Sequence, residues 1–440
     1  MICAVISALL SIVPSSGEAL EAMLEEHPFP AAQEAVLIEY GDRFLVPESP
    51  SLVKAAVLRQ FHRMAFQLQP EPVSSLADYI TENWSSLDTE TKNLWREFAG
   101  RTGLMVPAEA VSGENLTSIL RYCSETGSTV PEVNTGNLTD LQRFYYTLAL
   151  PPDQSLQFIE DPGWAVRNAV LQNNPGAAFE MLDDPSPYVR MNAALAAGRD
   201  DLLLEMASAD GPLGHMSLAG VGQVPILEDS LFNSDDPAKR VSALLTLLDL
   251  GWTVPQTKVD YLLTDDYVMV RAIVADATGR NFAMPEEGDL PEEAPALLDV
   301  PDRLVLVTDA GDFTMTLLKE AAPVTCRSFW YLAETGFYNG IYFHRVIPGF
   351  VAQAGCPEGN GYGGPGYTIP AENNTVPYRR GIVGMADSGL DTGGSQFFIM
   401  LDSQRRLDCR YTVFASVDNT DNLDNIEVGT RILEIHMINP

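Results

Sequence analysis

The segment Phe343-His-Arg-Val-Ile-Pro-Gly-Phe-Val-Ala-Gln353 decides the fold of the C-terminal third of this 440-residue chain. Around it lie short apolar runs bounded by turn-forming residues, a pattern typical of β-strands. These runs are Ile341–Val346, Phe350–Gln353, Gly381–Ala386, Gln396–Leu401, Thr412–Ala415 and Arg431–Ile438. Upstream, Arg303–Leu318 is predicted to be a β-hairpin turning at Asp309–Asp312, and Ala322–Glu334 an amphipathic helix. Many short strands with few helices favour a closed β-barrel with one or two helices.

The opening segment resembles the cyclophilin signature FHRxIPGFxxQ, and further stretches match the same family in order and spacing. These stretches are Gly336–Arg345, Asn360–Gly364, Pro365–Glu372, Gly384–Gly389, Gly393–Ile399 and Leu407–Phe414. The resemblance runs from about Asp302 to Ile438. It implies a cyclophilin-like closed antiparallel β-barrel with flanking helices, of the bacterial type. It also implies a peptidyl-prolyl cis–trans isomerase, a folding catalyst or chaperone for proline-containing polypeptide clients.

Isomerisation of an X–Pro bond requires no nucleophile, metal or cofactor, and none is expected here. The barrier of about 18–20 kcal/mol comes from amide resonance. A donor aimed at the prolyl nitrogen weakens that resonance, because the nitrogen gains a lone pair only when the bond is twisted. A guanidinium suits this task, being always charged and directional. The resemblance implies that Arg345 is the donor, that Gln353 orients it and binds the substrate backbone, and that Phe350 completes the catalytic set.

The resemblance also implies a set of substrate-binding residues: Val351, Gly361, Ala386, Asp387, Ser388, Gln396, Phe398, Leu407 and Tyr411. The family uses such residues as an apolar socket for the proline ring, a strand edge for the substrate backbone and the border of the next subsite. Without the motif, barrel core would explain Phe350 better, and a salt bridge is the alternative for Arg345. His344 is interpreted as structural, because neighbours on a strand point to opposite faces.

Four positions depart from common family residues. Asp387 stands where many members have asparagine, Val351 replaces a methionine and Tyr411 replaces a histidine. Arg406 stands where many eukaryotic members have tryptophan, which implies weak cyclosporin binding. None of these changes removes Arg345, so the resemblance still implies activity.

Charge and composition exclude several classes of function. The net charge is -33, of which only -6 falls within Pro301–Pro440, so the first 300 residues carry -27. Such an acidic chain is unsuited to nucleic acid or anionic membrane surfaces. The five cysteines form no CxxC pair, so a disulfide framework is not expected. The five histidines lack the spacing of metal ligands, so a metal site is not expected either.

Residues 19–283 are predicted to be helical, with a weak repeat beginning at Asp161, Asp184, Asp236 and Asp266, 23, 52 and 30 residues apart. Each copy precedes an apolar run, and its acidic residue is expected to cap the helix. Stacked copies would form a HEAT-like α-solenoid whose face binds a protein partner. The alternative is an irregular helical domain with ordinary caps.

The remaining segments complete a four-part organisation. Residues 1–18 contain the apolar run Ile2–Val13, which is shorter than the roughly 20 residues of a stable membrane span. The run fits either the apolar part of a secretory signal or a core helix; export to the periplasm or cell envelope is favoured over the cytoplasm. Residues 284–301 form an acidic, proline-rich linker, and residues 302–440 the isomerase domain.

Three functional hypotheses follow from the sequence. The first is an active isomerase whose helical region binds clients or partners. The second is a non-catalytic module that binds proline peptides within a helical-repeat scaffold. The third makes the helical region the main function, with the isomerase as an accessory.

Overall fold

The structure is a computed structural model that describes residues 54, 57, 74–107, 111, 115–284 and 288–438. The predicted signal-like segment 1–18 lies outside these residues. The chain divides into two compact units. The first runs to Ser155 and includes Asn373–Arg379 and Ser403–Arg410, and the second comprises Leu156–Glu372, Arg380–Asp402 and the chain from Tyr411. The domain boundaries expected from the sequence remain a prediction.

The first unit is helical. Its helices are α1 (Ser74–Asn83), α2 (Thr89–Thr102), α3 (Leu116–Thr126), α4 (Asp140–Ala149) and the short α5 (Pro152–Ser155). Glu97 on α2 accepts a hydrogen bond from the backbone N–H of Arg405 at 3.2 Å. Arg121 on α3 donates to the carbonyl of Ser403 at 2.8 Å. These helices therefore hold the segment Ser403–Arg410, which carries Leu407.

The second unit begins with a further set of helices, which confirms the helical prediction for this region. They are α6 (Trp164–Asn173), α7 (Pro187–Ala196), α8 (Asp200–Ala207), α9 (Pro212–Val221), α10 (Val224–Asn233), α11 (Pro237–Asp249), α12 (Gln256–Leu262) and α13 (Val268–Thr278). Helix α8 packs against α9, and α10 against α11. Leu218 of α9, Leu227 of α10 and Leu244 of α11 are buried in one shared core.

Five helices of this set, α6, α7, α9, α11 and α13, begin after three-residue turns at similar intervals, which we call repeat turns. These are Asp161–Gly163, Asp184–Ser186, Ala209–Gly211, Ser234–Asp236 and Asp265–Tyr267, each ending on the helix N-cap. Their first residues are 23, 25, 25 and 31 positions apart. Four of the N-caps have φ between -79° and -88°, whereas Gly211, the N-cap of α9, has φ of 79°. The copy at Ala209 was not predicted from the sequence. The predicted copies at Asp236 and Asp266 begin two residues and one residue later than the turns at Ser234 and Asp265.

In four of the repeat turns, the arginine at the fourth position after the N-cap donates a hydrogen bond back to the first carbonyl of the turn. Arg167 donates to the carbonyl of Asp161 at 2.6 Å, and Arg190 to the carbonyl of Asp184 at 2.5 Å. The equivalent bonds join Arg240 to Ser234 and Arg271 to Asp265. The fifth turn, before α9, has His215 at this position.

The expectation that the acidic residues cap these helices is wrong at most copies. Asp236 is an N-cap and accepts from the N–H of Ala238 at 2.8 Å. Asp161 and Asp184 instead lie two residues before the N-cap, and each accepts the N–H of the N-cap residue at 2.8 Å. Such Asx turns satisfy the carboxylate before the helix starts. Asp266 also precedes its N-cap.

An eight-stranded antiparallel sheet follows in the described part of the second unit. Its strands are β1 (Arg303–Thr308), β2 (Gly311–Leu317), β3 (Arg345–Ile347), β4 (Val351–Ala354), β5 (Ile382–Met385), β6 (Phe397–Met400), β7 (Val413–Val417) and β8 (Ile432–Met437), with α14 (Pro323–Glu334) between β2 and β3. The order is β3-β4-β6-β5-β7-β2-β1-β8. Pairing of β1 with β2 confirms the predicted hairpin, and α14 the predicted helix.

The sheet curls so that its first and last strands approach each other. Tyr342, just before β3, bridges to Arg431 at the start of β8. The N–H of Ile432 donates to the carbonyl of Ile341 at 2.8 Å. The predicted strand Ile341–Val346 is therefore too long, because its first half pairs with the start of β8 and only its end belongs to β3.

Aromatic packing fixes α14 against the sheet. Phe329 on α14 lies edge-on to Phe397 of β6, with ring centroids 5.4 Å apart, and 5.0 Å from Phe414 of β7. All three side chains are fully buried. This cluster sets the strand positions on which the candidate site is built.

The described part of the acidic segment 284–301 contacts the sheet domain. Gly288 accepts from the N–H of Thr368 at 3.0 Å, and Arg327 donates to the carbonyl of Pro295 at 2.7 Å. In the portion of the chain that the structure describes, no helix combines the length and apolar character needed to cross a bilayer.

Candidate active site

Arg345 and Gln353 form the centre of the site because β3 and β4 pair across it. The antiparallel register places Arg345 opposite Gln353, and opposed side chains on paired strands share one face of the sheet. The intervening turn contains Gly349 with φ of 68°, a conformation that glycine adopts readily. Nη1 of Arg345 donates to Oε1 of Gln353 at 3.4 Å.

The guanidinium of Arg345 is exposed and positively charged. Partial burial lowers its pKa, while Tyr411 acts in the opposite direction, and an arginine remains protonated at neutral pH. Its central carbon lies 5.6 Å from the centre of the Phe350 ring, within the range of a cation–π contact. No ion pair to a carboxylate involves Arg345 among the residues described. The salt-bridge interpretation therefore has no acidic partner there.

A relay of amides fixes the orientation of Gln353. Nε2 of Gln396 donates to the carbonyls of Gly361 and Gly363 at 2.8 and 2.9 Å. Because a carbonyl only accepts, the other end of the Gln396 amide, Oε1, faces Gln353 and accepts from its Nε2 at 3.1 Å. Oε1 of Gln353 is thereby turned toward Arg345.

Apolar side chains lie beside this polar pair. Phe398 on β6 is opposite Gln353, and its side chain is almost fully buried. Tyr411 packs edge-on against it, with ring centroids 5.8 Å apart. Val351 precedes Gln353 by two residues on β4, so it shares the same face. The predicted residue Leu407 does not belong to the second unit: it is buried in the first unit, on the 3-10 turn Arg405–Leu407.

The backbone beyond β5 forms the next part of the site. The N–H of Ala386 donates to the carbonyl of Gln396 at 2.9 Å. Asp387 accepts from the N–H of Gly389 at 3.1 Å, and the N–H of Ser388 donates to a side-chain hydroxyl at 2.9 Å. These bonds order a loop that directly continues a strand of the sheet.

His344 lies beside the centre but carries no charge at neutral pH. Burial lowers its pKa to about 4, and the nearby His215 and Arg345 act in the same direction. Both ring nitrogens are buried without a hydrogen-bond partner in the described structure. The site therefore has one charged group at its centre, the guanidinium.

Sequence reasoning missed two contributors. Gly363 shares with Gly361 the role of acceptor for Gln396, and only the glycine-rich composition of this loop signalled it. His215, far away in the chain, donates to the same loop at the carbonyl of Gly359. Its signal is its place in the repeat, where the other copies have arginine.

Comparison with known proteins agrees with this architecture. The family model described as "Cyclophilin type peptidyl-prolyl cis-trans isomerase/CLD" matches residues 303–436. A peptidyl-prolyl cis-trans isomerase of Synechococcus elongatus is 42% identical over 137 residues, covering 30% of this chain and 94% of that protein. Peptidyl-prolyl cis-trans isomerase B of Bacillus subtilis is 51% identical over 133 residues, covering 29% and 93%.

A solved structure, the cyclophilin-type peptidyl-prolyl cis-trans isomerase of Cryptosporidium parvum, is 29% identical, with a TM-score of 0.31. It covers 32% of this chain and 99% of its own. The curated relatives are covered over nearly their whole length by the segment that contains β1 to β8. The chain therefore belongs to the cyclophilin family, and its C-terminal domain is a peptidyl-prolyl cis–trans isomerase.

Proposed function

We propose that Arg345 accelerates X–Pro isomerisation as an electrostatic donor to the prolyl nitrogen, and not as an acid or base. The observation that carries this proposal is a charged guanidinium without a carboxylate partner in the described structure, aligned by the Gln353 amide. Donors held in place before reaction need no reorganisation when charge develops. The twisted amide, whose nitrogen carries a full lone pair, is then stabilised more than the planar one.

The other predicted residues take supporting roles in this proposal. Gln353 orients Arg345 and binds the substrate backbone, and Phe350 covers the guanidinium. The proline ring occupies an apolar socket formed by Phe350, Val351, Phe398 and Leu407, and Tyr411 supplies an aromatic wall. The substrate chain lies as an extra strand along Ala386, Asp387 and Ser388. Gly361 and Gln396 border the subsite on the other side.

The finer description of the fold is also a proposal. The pairing of Tyr342 with Arg431 supports a closed barrel, in which the curled sheet has no free edge between β3 and β8. Five repeat turns at intervals of 23 to 31 residues support a HEAT-like solenoid. The isomerase domain is proposed to be of the bacterial type.

We assign to the helical region the binding of unfolded clients or of a protein partner, which would make the chain a chaperone. Solenoids present extended surfaces for such contacts. The test compares kcat/KM for a proline tetrapeptide with kcat/KM for an unfolded protein whose refolding is limited by proline isomerisation. A higher value for the protein supports client binding, and equal values exclude it.

Exchange spectroscopy of a proline tetrapeptide tests the catalytic proposal. The wild-type chain should exceed the uncatalysed exchange rate. Arg345→Lys should lose at least about tenfold, because an ammonium is a point charge without the planar fork of donors. Arg303→Lys is the matched control, since Arg303 is an exposed arginine paired with Asp418, which directly follows β7.

The alternative, a non-catalytic proline-peptide module, predicts a different result in the same experiment. The peptide would bind, shown by chemical-shift changes, while its exchange rate stayed at the uncatalysed value. That combination would overturn the enzymatic role assigned to Arg345.

A further inference from the structure

The repeat turn before α9 differs from the other four in the bonding partner of the residue at the fourth position after the N-cap. Arg167, Arg190, Arg240 and Arg271 each donate to the first carbonyl of their own turn. His215 occupies the equivalent position on α9, but its bond leaves the helical repeats. Its Nε2 lies 2.9 Å from the carbonyl oxygen of Gly359 in the glycine-rich loop.

The surroundings of His215 fix its tautomer. A carbonyl only accepts hydrogen bonds, so Nε2 carries the proton and donates to Gly359. Nδ1 then accepts from the hydroxyl of Ser242 on α11 at 3.0 Å. Burial lowers the pKa of His215, which keeps the ring neutral at neutral pH. The ring is thus held from both sides in one orientation.

The loop that His215 contacts is held only partly by bonds of its own. The N–H of Gly359 donates to the carbonyl of Cys356 at 3.1 Å, and the N–H of Tyr362 donates to Oδ1 of Asn360 at 2.9 Å. Gly359 and Gly361 have φ of 65° and 85°, and glycines lack side chains that could anchor them. A second contact from the repeats reaches the loop where Asn360 donates to the hydroxyl of Tyr267 at 3.3 Å. His215 and Tyr267 of the helical repeats thus add two contacts that hold the loop from outside.

From this loop, a continuous series of hydrogen bonds reaches the catalytic centre. The carbonyls of Gly361 and Gly363 hold Gln396, which holds Gln353, which contacts Arg345. A shift of the loop would release the Gln396 amide and allow the Gln353 amide to turn. Misalignment of a positioned group by about 1 Å can cost a large factor in rate.

We propose that His215 is a positioning residue for isomerisation, through which the helical repeats fix the glycine-rich loop and, by way of Gln396 and Gln353, the orientation of Arg345. This inference rests on the role of Arg345 proposed above. It makes the helical repeats part of the enzyme and not only a client-binding appendage.

The test uses the full chain and four variants in tetrapeptide exchange. His215→Ala removes the donor, and His215→Gln keeps an N–H that can reach the Gly359 carbonyl. Arg190→Ala is the matched control, because Arg190 closes an equivalent repeat turn through bonds within that turn. Arg345→Ala reports whether the exchange measured depends on the catalytic centre.

We expect His215→Ala to lose about fivefold in kcat, the effect of one lost positioning hydrogen bond. His215→Gln should recover most of this loss, and Arg190→Ala should keep the wild-type kcat. In chains labelled with ¹⁵N-glycine, the amide resonances of Gly361 and Gly363 should move in His215→Ala but not in Arg190→Ala. This spectroscopic result does not depend on activity.

Two outcomes would overturn the inference. In the first, His215→Ala keeps the wild-type kcat and the two glycine resonances stay in place, while Arg345→Ala loses activity; the catalytic role of Arg345 would then stand alone. In the second, Arg190→Ala and His215→Ala lose kcat equally, which would mean a general loss of structure. A wild-type chain with only the uncatalysed exchange rate would refute the proposed function. The Gly361 and Gly363 resonances would still show whether His215 positions the loop.

Discussion

Gln353 is held by Gln396 through a single amide–amide hydrogen bond of 3.1 Å, and this bond turns the oxygen of Gln353 toward Arg345. Either amide taken alone could rotate by half a turn. The two glycine carbonyls that accept from Gln396 remove this freedom, because Nε2 of Gln396 must face them and Oε1 must then face Gln353. The polar centre is therefore pre-organised before a substrate binds.

Removal of this orienting group should weaken catalysis without unfolding the chain. Gln353→Ala is expected to lower kcat/KM for a proline tetrapeptide by about tenfold, because Arg345 loses its alignment. Gln223→Ala is the control, since Gln223 is an exposed residue of the helical repeats that bonds Asp200. Wild-type kcat/KM in Gln353→Ala would contradict the orienting role.

The buried ion pair between the first two repeat turns should be essential for stability. Arg167 contacts both carboxylate oxygens of Asp184, at 2.7 and 2.9 Å, and both side chains are almost fully buried. Arg167→Ala leaves the carboxylate buried and unpaired, at a cost of about 3–5 kcal/mol in the free energy of unfolding. Urea unfolding measures this cost. Arg199→Ala, which breaks an exposed pair with Asp201, should leave the midpoint unchanged. Equal midpoints for both variants would refute the prediction.

His344 should make folding stability depend on pH in a defined window. Burial lowers its pKa from 6.5 to about 4 in the folded chain. Between these values the unfolded chain binds a proton that the folded chain does not, so stability is lost as the pH falls from 6.5 to about 4. The loss is at most on the order of 3 kcal/mol. His344→Gln should lack this component, so wild type and variant should diverge in this window in urea unfolding. Parallel profiles would show that the imidazole is not desolvated.

Much of the sheet domain could be predicted from the sequence because its signals are local. The hairpin Arg303–Leu318 and the helix at Ala322–Glu334 follow from apolar patterns and turn residues close together in the chain. The exception was the strand Ile341–Val346, which was predicted too long. Its first half pairs with Arg431, and an apolar run does not reveal which partner each half will take.

The features that the sequence did not reveal depend on contacts between distant segments. Glu97 holds the backbone of Arg405, about 300 positions away, and no local pattern signals that bond. His215 looked like an isolated histidine because the repeat was aligned on the acidic residues. Two of these, Asp161 and Asp184, form Asx turns before the N-cap and so do not mark the helix start. When the copies are aligned on their N-caps, His215 stands at the position where the other four copies have arginine.

The central claim is that Arg345 accelerates isomerisation by donating to the prolyl nitrogen. Its most direct test is the cis–trans exchange rate of a proline tetrapeptide, measured by NMR with wild type, Arg345→Ala and Arg303→Ala. We predict that Arg345→Ala loses about 10²–10³ in kcat/KM, the effect of removing one pre-organised donor, while Arg303→Ala matches wild type. An Arg345→Ala chain that kept the wild-type rate would contradict the account.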